Sequence, residues 1–168
     1  VSVPAAGITF SISAAFVAFG LRKASRQLDE RQVPLLGVTA AFIFAAQMIN
    51  FPIYAGTSGH FLGAALAAIV LGPWNGLIVM SLVVTIQCLV AGDGGLSALG
   101  ANILNMGIIG CFAGFGINLF LQRLLPKSKK SLFISVAAAS WGSVVLAAIA
   151  CGVEISSLGY FRLPPAHI

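Results

Sequence analysis

This sequence predicts an all-α membrane protein, a compact bundle of about six transmembrane helices, and three observations carry the prediction. Of its 168 residues 59% are hydrophobic and only 8% are charged, whereas a soluble domain carries about 25% charged residues. Mean hydropathy is +1.03, and the apolar residues fall in long continuous runs rather than in the two-residue alternation of a barrel strand. The few charges are also sorted: Arg22, Lys23, Arg26 and Arg31 form one basic group, and Arg123, Lys127, Lys129 and Lys130 form another. Short basic connections between apolar segments set orientation in a membrane. The net charge of +5 therefore reads as topology and not as a nucleic-acid surface. Residues 1–168 read as a single integral membrane domain.

The first span is expected over about Ala5–Leu21, close to the minimum length for a crossing. Its basic residues follow the apolar stretch instead of preceding it, which excludes a secretory signal. Ala14 and Ala18 stand four apart and allow close approach of another helix. After the basic loop at residues 22–32, Pro34 opens a second span of about Leu35–Asn50. Gln47 and Asn50 lie near its end on one face. Then comes Phe51-Pro-Ile-Tyr-Ala-Gly-Thr-Ser-Gly-His60, a polar loop that hydrocarbon cannot satisfy, so it must be buried in protein or face water.

The third apolar run, Phe61–Leu71, is short. Ala64, Ala65, Ala67 and Ala68 suit a tightly packed interior, Gly72 and Pro73 break the run, and Trp74 suits an interface. A fourth span follows over about Gly76–Ala91, interrupted by Gln87, and Gly92-Asp93-Gly94-Gly95 makes a tight turn. The fifth runs from Leu96 to Leu121, with Asn102 and Asn105 on one face and a Gly110/Gly114 pair. A second basic loop at residues 122–131 precedes a last span of about Leu132–Ala150. Asp93 reads as a turn or cap residue, and Glu154, past the last span, as solvated. Cys88, Cys111 and Cys151 stand at no metal-ligand spacing and read as small core residues.

If both basic loops face the cytoplasm, an even number of crossings must separate them. Segments two to five supply four, so the short third run is expected to cross rather than re-enter. The His60 loop, the Gly92–Gly95 turn and the tail after Cys151 then converge on the outer face, the candidate binding site. Imidazole is the commonest protein ligand for transition metals, and His60 is one of two histidines. On this loop alone His60 is either a metal ligand or a histidine that caps a helix or satisfies a polar neighbour. No P-loop, nucleophile–base set or pair of catalytic carboxylates is present, so no residue set marks an enzyme.

Four ordered motifs carry a resemblance: Phe51-Pro-Ile-(x)2-Gly-Thr-Ser-Gly-His60, Leu71-Gly-Pro-Trp74, Gly92-Asp-Gly-Gly95 and Leu99-Gly-Ala-Asn102-Ile-Leu-Asn105-Met. Together they resemble the metal-binding membrane subunit of cobalt and nickel energy-coupling-factor importers, the CbiM/NikM family, over about Pro34–Arg123. The resemblance implies capture of Ni²⁺ or Co²⁺ as transported substrate, with no organic cofactor. It implies partners in a transmembrane coupling protein, two cytoplasmic ATPase subunits that hydrolyse ATP, and a small accessory membrane subunit as a further candidate. The bacterial cytoplasmic membrane is the implied location.

In the family, ligands come from an N-terminal Met-His-Ile opening and from the histidine of the Ser-Gly-His loop, which His60 matches. Here Val1-Ser-Val-Pro4 stands near the start of the first span, and Ala166-His167-Ile168 looks like the beginning of a region that leads to a seventh helix. His167 is a further candidate ligand. Gln47, Ser58, Gln87, Asn102 and Asn105 either orient ligands around His60 or hydrogen-bond to one another and hold the helices together. By analogy with vitamin-type relatives, Ala14 and Ala18 mark the coupling-protein contact. The alternative function is an accessory membrane subunit that retains the fold without a working metal site.

Overall fold

The computed structural model describes residues 3–26, 29, 32–52, 58–92 and 94–157. Along the described chain run α1 (Val3–Ala24), α2 (Val33–Gln47), the hairpin strands β1 (Asn50–Pro52) and β2 (Ser58–His60), and α3 (Ala64–Leu71). They are followed by α4 (Pro73–Ala91), α5 (Leu99–Leu124) and α6 (Lys129–Ser157). Helices α1, α4, α5 and α6 are each long and apolar enough to cross a membrane. Prolines open α2 and α4 within the first turn, where a missing N–H is no loss. Gly63 and Gly72 bracket α3 with φ of +76° and +86°, backbone that only glycine adopts without strain.

Helix α3 is the centre of the molecule. Its Ala64, Ala67 and Ala68 are fully buried, and α4, α5 and α6 pack around it. Small residues make this possible. A Cβ placed on Gly110 of α5 would stand 2.7 Å from the Ala64 Cβ, and one on Gly114 2.8 Å from the Ala65 Cβ. One on Gly76 of α4 would meet the Ala68 backbone at 2.9 Å. The Gly110/Gly114 pair thus serves a contact inside this chain, of the kind small-xxx-small spacing allows. Helix α2 packs against α4 and α3, and α1 lies against α4 and the start of α5.

The ends of the bundle are fixed by three contacts. The Ser13 hydroxyl donates to the Gly100 carbonyl at 2.7 Å, Phe19 meets Trp74 edge-on at 5.1 Å, and Trp74 meets Phe112 at 4.9 Å. Helices α1 and α5 therefore run the same way, and Arg22, Lys23 and Arg26 lie at the same end of the bundle as Arg123, Lys127, Lys129 and Lys130. At the far end Ala5, Ala101 and Ile155 pack together.

The third apolar run differs from the expected helical crossing. Only its eight residues Ala64–Leu71 are helical, about 12 Å against a hydrocarbon core of about 30 Å. Yet Leu62 sits beside the end of α2 while Trp74 sits among the basic-end aromatics, so the chain does pass between the two ends. It does so by joining an extended lead-in, β2 and residues 61–63, to the short helix. The glycine contacts of α4 and α5 close around the helical part, with Gly110 also reaching Leu62, while Gly59, His60 and Phe61 keep part of their surface open. Boundaries also move: α1 reaches Ala24, α2 stops at Gln47, and α6 continues through Ser157 beyond the expected end at Ala150.

Candidate metal centre

His60 closes the hairpin, where its backbone pairs with Asn50. Its ring Nδ1 lies 2.9 Å from the Phe61 carbonyl oxygen. A carbonyl only accepts, so Nδ1 carries the proton and Nε2 presents the lone pair. That second hydrogen bond is the usual device for setting the tautomer and orientation of a ligating imidazole. His60 is half-buried. Beside it, Gln47 at the end of α2 is 1% exposed, and its Nε2 donates to the Leu62 carbonyl at 2.6 Å. This bond ties α2 to the extended lead-in that carries His60. The Gln47 Oε1 is buried with no hydrogen-bond partner among the described residues.

Two π-helical turns shape the same end, Gln87–Ala91 in α4 and Ile103–Ile109 in α5. Such widened turns recur at functional sites. The second holds Asn105, 6% exposed, whose Nδ2 donates to Glu154 Oε2 at 2.8 Å. Asn105 Oδ1, like Gln47 Oε1, is buried and partnerless among the described residues. Glu154 is 9% exposed, which corrects its expected solvated role. Because α6 runs past Ala150, Glu154 stays inside the bundle and faces α5. The signal was in the sequence, since Ile149 to Ile155 continues the apolar run and a lone carboxylate in such a run is costly unless paired.

Gln87 opens the first π turn and is buried. Asn102 is half-buried and lies against Gly94. Asn102 and Asn105 thus go to different neighbours despite their three-residue spacing. Among the described residues no hydrogen bond joins Gln47, Gln87, Asn102 and Asn105 to one another.

The described residues at this end of the bundle include one imidazole nitrogen, two buried amide oxygens and one carboxylate, the carboxylate bonded to Asn105. No group of three or more His, Cys, Asp or Glu gathers among the described residues. Cys88 and Cys111 are buried core residues and Cys151 is half-buried. The side chain of Ser58, Asp93 and His167 lie outside the described residues. Ala14 and Ala18 are exposed on α1, away from the contacts that α1 makes within the chain.

Comparison with known proteins sets this geometry in a family. The family model for the cobalt uptake substrate-specific transmembrane region, CbiM, matches residues 1–163. A putative fused nickel transport protein NikMN of Archaeoglobus fulgidus is 42% identical over 158 residues, 92% of this chain and 50% of that protein. The cobalt transport protein CbiM of Geobacter sulfurreducens is 32% identical over 155 residues, 90% of this chain and 44% of that protein. The chain spans about half the length of these curated relatives. Crystal structures of a transition metal transporter and of a truncated one both superpose with a TM-score of 0.87 at 32% identity. They cover 98% of this chain, which in turn covers 71% and 75% of theirs. With the family model matched along nearly the whole chain and six helices bundled among the described residues, the chain belongs to the CbiM/NikM family of cobalt and nickel uptake proteins and is a multi-pass membrane protein.

Proposed function

We propose that the chain is the substrate-capture component of an energy-coupling-factor importer for Ni²⁺ or Co²⁺, with His60 Nε2 as a direct ligand. The observation that carries this reading is the hydrogen bond from His60 Nδ1 to the Phe61 carbonyl. It leaves a nitrogen lone pair at the end of the bundle opposite both basic groups. With those groups cytoplasmic, as the Lys/Arg bias directs, the His60 end faces outward to collect metal. One imidazole does not hold a transition metal alone. The remaining nitrogen donors are assigned to an N-terminal Met-His segment of the family type, with His167 as a further candidate. Nitrogen donors in a tetragonal arrangement suit nickel and accept cobalt.

The partnerless Gln47 Oε1 and Asn105 Oδ1 fit the role of acceptors for N–H groups or waters that arrive with the metal and its ligands. The chain itself performs no catalysis. A transmembrane coupling protein, docked on Ala14 and Ala18, and two ATPase subunits on the cytoplasmic side drive release inward.

Calorimetry with Ni²⁺ and Co²⁺ on the full-length protein tests the assignment. Changes one step removed from a metal typically cost about 10–100-fold in affinity, and loss of a direct ligand costs at least as much. His60→Ala should therefore abolish tight binding, while Asn105→Ala weakens it less. Undiminished affinity in His60→Ala removes His60 from the site. No binding by the unaltered full-length protein favours an accessory subunit that keeps the fold alone.

A further inference from the structure

The basic end of the bundle carries a second site, independent of the metal reading. A cavity of about 410 Å³ is lined by Phe19, Arg22, Lys23 and Arg26. These positions are spaced i, i+3, i+4 and i+7, so they share one face of α1 and the turn that follows it. Lys23 Nζ lies 5.1 Å above the Trp74 ring, and Trp74 packs on Phe19. Phe19 is the aromatic wall of the cavity, and Trp74 of α4, packed behind it, holds Lys23 in place. Among the described residues no carboxylate is paired with Arg22, Lys23 or Arg26. Three cations crowd one hollow.

The same face continues away from the charges as an apolar ridge. Ile12, Phe16 and Phe19 are 41%, 41% and 55% exposed, and they step along α1 at three- and four-residue intervals. A ligand that uses both parts has an anionic head and a long hydrocarbon tail. Guanidinium groups match phosphate oxygens with two parallel hydrogen bonds each, and basic pockets beside transmembrane helices bind anionic headgroups. Inorganic phosphate or a nucleotide shares the head chemistry but has no use for the ridge. We propose that this hollow is a binding site for an anionic phospholipid, its phosphate between Arg22, Lys23 and Arg26 and one acyl chain along Ile12, Phe16 and Phe19.

The test uses the full chain purified in a neutral detergent. Thermal unfolding is followed on titration with phosphatidylglycerol, phosphatidylcholine or inorganic phosphate. Phosphatidylglycerol should raise the unfolding temperature at concentrations where the other two do nothing. Each juxtamembrane cation is worth about 1 kcal/mol, or about fivefold. Arg22→Gln should therefore need about fivefold more phosphatidylglycerol and Arg22→Gln/Arg26→Gln about thirtyfold more. Lys129→Gln/Lys130→Gln removes the same charge from the other basic group and should shift the titration far less. Equal shifts in the two double variants would reduce the effect to net charge and overturn the site. An equal response to phosphatidylcholine would also overturn it, and an equal response to inorganic phosphate would make it a small-anion site. If phosphatidylglycerol is inert and the arginine variant instead loses its partner subunits on purification, the hollow is a protein interface and the lipid proposal fails.

Discussion

Placing one methyl group on Gly110 tests the idea that α3 is clasped by α5 and that the clasp sets the metal end. In Gly110→Ala the new Cβ would stand 2.7 Å from the Ala64 Cβ, with the Asn105 carbonyl oxygen and Leu62 Cδ2 next at 3.4 Å. Two methyl carbons need close to 4 Å, so α3 and α5 must part by about an ångström, an overpacking that typically costs about 1–3 kcal/mol. The helix gains back about 1 kcal/mol from replacing glycine by alanine. Gly116→Ala is the matched control, because a Cβ there meets nothing within 4 Å and only the gain remains. The difference between the two variants isolates the packing cost. For a chain of this size about 1 kcal/mol moves the midpoint by about 2–4 °C, so Gly110→Ala should melt about 2–12 °C below Gly116→Ala. Moving the methyl, in Gly110→Ala/Ala64→Gly, removes the one contact under 3 Å and should restore most of the loss. Because Leu62 sits against Gly110 and its carbonyl holds Gln47, the single variant should also bind Ni²⁺ more weakly. A Gly110→Ala protein that melts with the control, or that Ala64→Gly fails to rescue, would refute the clasp.

Glu154→Gln keeps an acceptor for Asn105 and should stay close to the unaltered protein in thermal unfolding. Glu154→Leu leaves both polar atoms of Asn105 buried without partners and should lose about 1–3 kcal/mol; equal stability of the two would deny the bond a structural role. Ala14→Trp and Ala18→Trp add bulk to exposed positions of α1, so co-purification with the coupling protein should fall while metal binding stays. Unchanged co-purification would place the contact elsewhere. In a cysteine-free background, cysteines at Ser58 and Ser128 should label with an impermeant reagent from opposite sides of the membrane. Labelling from the same side would overturn the orientation.

Much of the bundle was legible because bilayer physics writes long signals. Helices α1, α4, α5 and α6 follow from apolar runs, and the basic loops assign their direction. The alanines of α3 and the Gly110/Gly114 pair were readable as close packing, and the structure joins them to each other. The shape of the third run was not legible. Hydropathy does not distinguish an extended segment from a helix, so Phe61–Leu71 reads as one apolar run either way. Glu154 was missed for a related reason: the last span was ended where about twenty apolar residues satisfy a bilayer, although α6 runs on. The π turns at Gln87 and Ile103 leave no mark in composition, so Asn102 and Asn105 read as one face when the widened turn sends them to different neighbours. His60 was readable as a candidate, but the carbonyl that orients its ring belongs to the next residue's backbone, which no side-chain motif announces.

The irregular backbone gathers at one end, and there is a physical reason for that distribution. At the basic end helices close on aromatic contacts around Trp74, with Asn75 Oδ1 the one buried acceptor there that has no partner among the described residues. At the far end a hairpin, an extended lead-in and two π turns expose carbonyls and amides that α-helices would keep to themselves. Gln47 and Asn105 answer part of that need, each giving one donor to a fixed partner, the Leu62 carbonyl and Glu154. Each keeps one acceptor buried with no partner among the described residues. A buried acceptor without a donor costs about 1–3 kcal/mol, so these two acceptors favour any ligand that brings donors to that end. Metal capture resolves the deficit if the incoming ligands bring N–H or water donors with the ion. On that account Gln47→Leu should raise the stability of the metal-free protein less than it lowers nickel affinity. A variant that binds nickel normally would show that the Gln47 oxygen is satisfied by something other than the captured metal's shell.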